Sequence, residues 1–163
     1  ARHRDPYKMY NNLVKALPIL SGMVPNVRIK GENIARYCKQ NTVEDLKQFF
    51  PDPTNFRNNR TGRDDRYQAI NPYSVLTHNT IEVRLHSGTT NTEKVIMWTK
   101  ICLAITDAPT LEEKIVTVDD FARLVSKDAK MIDYIVKRTA LFKNKNDIDT
   151  RGDYVLDLVN EAG

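Results

Sequence analysis

The sequence predicts an α+β chain: a small curved antiparallel sheet packed with helices, followed by a helical C-terminal region. Three observations carry this. Apolar residues recur at helical spacing near the start of the chain, as Tyr10, Leu13, Val14, Leu17 and Leu20. The stretch T-I-E-V-R-L-H-S-G-T, Thr80 to Thr89, instead alternates strictly: Ile81, Val83 and Leu85 against Glu82, Arg84 and His86. From Thr110 onward the pattern is helical throughout.

The first helix is expected from Pro6 to about Leu20, with Pro18 kinking or ending it. A loop follows, S-G-M-V-P-N-V-R-I-K-G. Thr42 offers a cap for a short helix through Phe50, with Asp45 in its first turn, and the P-D-P of residues 51–53 stops it. Residues 54–66 are polar and read as a loop, in which Arg57, Arg60, Arg63 and Arg66 recur every third residue. Tyr67 to Val75 is expected to be extended and broken at Asn71-Pro72. A turn at His78-Asn79 leads to the alternating strand, which gives an antiparallel pair. Thr90 with Glu93 forms a capping box for a helix that carries Val95, Ile96, Trp98, Cys102, Leu103 and Ile105 and ends before Pro109. Thr117 with Asp120 starts the next helix, Asp128 to Phe142 forms another, and Thr150 caps a last one bearing Tyr154, Val155, Leu158 and Val159. The division expected is residues 1–108, containing the sheet, and residues 109–163, a helical tail.

Bulk properties narrow the function. The 163 residues suit one domain, 40% hydrophobic and 28% charged, with net charge +4. That balance is compatible with an anionic ligand but is not the strong basicity of a dedicated nucleic-acid binder. Cys38 and Cys102 lie far apart, which favours reduced thiols and an intracellular, cytoplasmic setting over a disulfide framework or structural zinc site. No apolar run approaches the ~20 residues that cross a bilayer.

The polar face of the strand is the informative feature. A carboxylate binds a hard cation such as magnesium. Arg84, about 7 Å further along the same face, suits a second anionic group, and His86 adds a donor, a ligand or a proton carrier. Such a row fits phosphoryl or carboxylate chemistry. The arginine series offers forks for phosphate or carboxylate, tempered by Asp64 and Asp65. Arg151-Gly152-Asp153 falls in an expected first helical turn and carries no recognition signal. Cys102 lies on an apolar helical stripe, which argues against its pairing with His86 as a nucleophile.

In order and spacing, R-Y-Q-A-I-N-P-Y-S-V, T-I-E-V-R-L-H-S-G-T and E-K-V-I-M-W-T resemble the amidoligase family, of the carboxylate–amine ligase group that also contains glutamine synthetase and glutamate–cysteine ligase. The matching positions are Tyr67, Asn71, Glu82, Arg84, His86, Gly88, Thr89 and Trp98, and more weakly Arg28, Asn33, Tyr37 and Cys38. The resemblance implies ATP-dependent amide-bond formation through an acyl phosphate, with ATP and Mg2+ as cofactors. It implies Glu82 as a metal ligand and Arg84 on substrate carboxylate or transferring phosphate. The candidate site is therefore Arg84 and His86 for catalysis, Arg66, Asn71 and Arg84 for substrate binding, and Glu82 for the metal. The partners implied are a carboxylate and an amine, free or carried on a peptide or protein, within a larger chain or assembly. The family's early strand of paired acidic residues has no counterpart here. The chain is thus expected to be the C-terminal part of a longer ligase. The alternatives are a non-catalytic structural or interaction protein on the same scaffold and, third, a nucleic-acid-binding module using the Arg57–Arg66 loop.

Overall fold

Asp5 begins the first helix. Its side chain accepts from the backbone N–H groups of Tyr7 and Lys8, and Pro6 occupies the first turn, where no N–H is needed. In this computed structural model, which describes residues 5–29, 38–52, 54, 67–125 and 128–147, α1 (Pro6–Lys15) is followed after Ala16 by α2 (Leu17–Gly22). The single helix expected to reach Leu20 is two pieces because Pro18 can sit only in a first turn. A 3-10 turn at Asn26–Arg28 follows. Lys39 bridges Gln68 through Lys39 N to Tyr67 O at 2.8 Å and Ala69 N to Lys39 O at 2.7 Å. Thr42 and Asp45 cap α3 (Val43–Phe49) reciprocally.

The sheet is small. Strand β1 (Ile70–Asn71) pairs antiparallel with β2 (Glu82–Val83), Ile70 opposite Val83 and Asn71 opposite Glu82. The extended run expected from Tyr67 to Val75 is cut short. Asn71 Oδ1 accepts from Tyr73 N, the chain turns at Pro72, and α4 (Val75–His78) forms instead. Asn79 closes α4 in the left-handed region, φ 50°. Asparagine tolerates that conformation because its short side chain can bond locally.

Helix α5 (Thr92–Asp107) starts one residue later than its expected cap. Asn91, not Thr90, receives the N–H of Lys94, and the Thr90–Glu93 box does not form. Asparagine is at least as good an N-cap as threonine, and the hydroxyl of Thr89 holds the Asn91 N–H. The Thr117–Asp120 box does form, ahead of α6 (Val118–Val125). Asp128 accepts from Met131 N at the start of α7 (Ala129–Asp147). The segments expected to hold the Thr150 helix and the Arg-Gly-Asp tripeptide lie outside the described residues.

One core joins these elements. Tyr10, Phe49 and Tyr73 meet edge-on with Phe50 tilted against Tyr10, and Ile70, Leu85, Ile101, Ile105, Phe121, Met131 and Ile135 complete the core. Helix α1 packs on α3, α5 and β1, and α7 packs on α2, α5 and α6. On α5 it is Met97, Ile101 and Ile105 that are buried, while Val95, Ile96 and Leu103 lie on the outer side. Among the described residues no helix is long and apolar enough to cross a membrane.

Candidate functional site

The register of β1 on β2 sets Asn71 opposite Glu82. Asn71 is buried, and its Nδ2 donates to Glu82 Oε2 at 2.9 Å. Arg84 Nη2 donates to the same oxygen at 2.9 Å, an ion pair with Arg84 a quarter exposed and Glu82 about half exposed. Glu82 and Arg84 therefore share a face, as the alternation requires. Ile81 and Val83 pack against the core on the other side, and Leu85 is fully buried. Arg84 N also bonds Ala69 O at 2.8 Å, which carries the pairing one residue past β2. The Arg84 guanidinium lies 5.7 Å from the centre of the Tyr67 ring.

Regular strand ends before His86, whose position is set by two other contacts. Its ring packs on Trp98 of α5, centroids 4.9 Å apart, and its Nδ1 lies 2.5 Å from Ser87 O. The backbone here is clamped by Arg28, which donates to the carbonyls of Arg84 (2.7 Å), Leu85 (3.2 Å) and His86 (3.5 Å). Burial pushes the His86 imidazole below its ordinary pKa, and the neighbouring charges of Arg138, Lys94 and Arg28 push the same way against the Ser87 carbonyl. In the sequence Arg28 stood out only through the family resemblance. Nothing in its spacing ties it to a strand 56–58 residues away.

Three polar atoms within residues 84–87 are buried and have no hydrogen-bond partner among the described residues: Arg84 Nε, His86 Nε2 and Ser87 Oγ. Such atoms cost about 1–3 kcal/mol each when left unpaired, and three in four residues mark a place built for a partner. Cys38 is buried, and burial raises its thiol pKa while Arg28 and Arg84 lower it. Burial also pushes the Cys102 thiol up to about 12, so it is no thiolate nucleophile. Arg66 and the remainder of the Arg57–Arg66 series lie outside the described residues. Among the described residues no three His, Cys, Asp or Glu side chains come together as a metal site.

The structure thus brings together Asn71, Glu82 and Arg84, and sets His86 two residues on against Trp98. No curated protein and no solved structure matches the chain. Residues 27–106, which run from the Arg28 turn through both strands to α5, match the family described as "Putative amidoligase enzyme". Over those residues the chain is similar to that family, whose description is of a ligase-type enzyme.

Proposed function

We propose that this chain takes part in ATP-dependent joining of a carboxylate to an amine through an acyl phosphate. The observation that carries the reading is the set of unpaired buried atoms, Arg84 Nε, His86 Nε2 and Ser87 Oγ, directly after the Glu82–Arg84 pair. The guanidinium N–H and the hydroxyl are donors suited to phosphate or carboxylate oxygens. Because these atoms are screened from water, ligand entry requires side chains around them to move.

Magnesium is commonly held by one or two carboxylates, with substrate phosphates and water completing the shell. Glu82 fits that mode: it is about half exposed, and its Oε2 is steadied by Asn71 and Arg84. When bound, the ion would neutralise phosphate charge. Asn71 is engaged at both ends, by Glu82 and by Tyr73 N, so in this scheme it positions Glu82. Further metal ligands would come from outside the described residues, as the reading of the chain as part of a longer ligase requires. A non-catalytic scaffold is the second reading, favoured by the lack of a three-ligand cluster among the described residues.

Trp98 is the single tryptophan and packs on His86, so its emission reports on the site. Titration with ATP and Mg2+ should change that emission saturably, and Glu82→Gln should remove the magnesium dependence. In the intact ligase, Arg84→Lys should lower amide formation on the order of a hundred- to a thousandfold, because a point charge cannot replace the fork. A flat titration, or unchanged behaviour of both variants, refutes the reading.

A further inference from the structure

We infer that His86 is the proton-accepting residue of this site, held as the Nδ1–H tautomer with a bare Nε2 lone pair, and that Arg28 is its positioning residue. The naming of the proton donor, an attacking amine, rests on the ligase reading; the tautomer and the role of Arg28 do not.

The tautomer follows from one contact. Ser87 O is a carbonyl and can only accept, so an Nδ1 at 2.5 Å from it must carry the hydrogen. In a neutral imidazole the other nitrogen is then a lone pair. That nitrogen, Nε2, is buried and has no partner among the described residues. The ring is kept neutral by its surroundings. It is buried against Trp98, and Arg28, Lys94 and Arg138 are the charged groups that oppose its protonation. Arg138 belongs to α7, beyond the residues that match the family, so the helical region also acts on this group.

Arg28 does two things at once. Its fork holds the carbonyls of residues 84–86 and so fixes where the ring begins, and its charge faces the imidazole. The unpaired set then reads as one donor, Arg84 Nε, one hydroxyl that can donate or accept, Ser87 Oγ, and one atom that can only accept, His86 Nε2. A carboxylate with a phosphate would use donors only. The accept-only nitrogen matches an N–H of the second substrate. The amine arrives as an ammonium and passes one proton to Nε2, which becomes an imidazolium. The freed nitrogen lone pair attacks the acyl carbon of the acyl phosphate. The C–N bond forms, the acyl C–O bond breaks with its electrons leaving on phosphate, and the second amine proton leaves with that phosphate. The surrounding cations then favour return of the proton from His86 to water.

The test is 15N NMR of the histidine rings in the whole 163-residue chain, which has three histidines. His86 should show the Nδ1–H tautomer, be neutral at pH 7, and titrate below the ordinary histidine range. Arg28→Met should raise its midpoint. Arg28→Lys keeps the charge but loses the fork, and should raise it by less. A purely structural role for Arg28 would move the midpoint equally in both variants. An Nε2–H tautomer, a charged His86 at pH 7, or an Arg28→Met midpoint unchanged from wild type overturns the inference. If Arg28→Met does not fold, the wild-type tautomer alone decides. A tautomer as expected with no response of Trp98 to ATP and Mg2+ overturns the amine assignment and, separately, the ligase reading.

Discussion

Asn12 is the residue whose loss should cost the fold most for its size. It is fully buried on α1, and its Nδ2 donates to Ile105 O (3.0 Å), Ala108 O (3.3 Å) and Pro109 O (3.0 Å). Its Oδ1 accepts from Leu111 N at 2.9 Å and from Asn11 Nδ2 at 3.1 Å. The need is physical: the N–H that would close the helical bond to Ile105 O belongs to residue 109, a proline, which has none. Asn12→Ala leaves the part-buried Leu111 N and the buried carbonyls of Ile105 and Ala108 without this partner. At about 1–3 kcal/mol for the stranded N–H, and about 1 kcal/mol net for each further bond that water cannot replace, the expected loss is roughly 3–4 kcal/mol. With a urea slope of about 2 kcal/mol/M, the unfolding midpoint should fall by ~1.5–2 M. Asn12→Asp should be at least as costly, since it turns a second oxygen on the three carbonyls. Lys8→Ala, which removes only a surface bond to Asp107 O, is the control and should stay within about 0.5 kcal/mol. A midpoint shift below about 0.3 M for Asn12→Ala would refute the clamp.

Two further outcomes follow from the same structure. Asn91→Ala should cost about 1 kcal/mol by removing the cap of α5, whereas Thr90→Ala should change stability by less than about 0.5 kcal/mol in the same urea titration. The folded-state pKa of Cys102 is raised to about 12, so its contribution to stability is complete below the unfolded thiol value and is lost as pH rises above about 9; iodoacetamide at pH 8 should label this half-buried thiol much more slowly than a free thiol, because little of it is thiolate, and labelling at the free-thiol rate would contradict the raised pKa.

The strand pair and the sharing of a face by Glu82 and Arg84 were legible because alternation leaves no other arrangement once Leu85 must be buried. The caps at Thr42 and Thr117 were legible because the bonds are local. The cap at Asn91 was misplaced by one residue, since Thr90 and Asn91 both qualify chemically and only the chain's entry angle chooses. The outer side of α5 was harder. Val95, Ile96 and Leu103 carry the same apolar character as Met97, Ile101 and Ile105, and which side is buried depends on where α1 and α7 lie. Least legible were Arg28 and Asn12. Their partners are backbone carbonyls, which every residue has, so no pattern of side chains announces them.

The asparagine clamp also sets an order on synthesis. Asn11 and Asn12 bond groups 93 to 100 residues further along the chain. At roughly 5–20 residues per second, α1 leaves the ribosome some ~5–20 s before those carbonyls exist. Through that interval the side of α1 that faces α5 and its two amide side chains have no native seat, and closing the loop between them spans more than half of the chain. A nascent chain halted before residue 105 should therefore leave the α5-facing side of α1 open to chaperones, and one released beyond residue 111 should not.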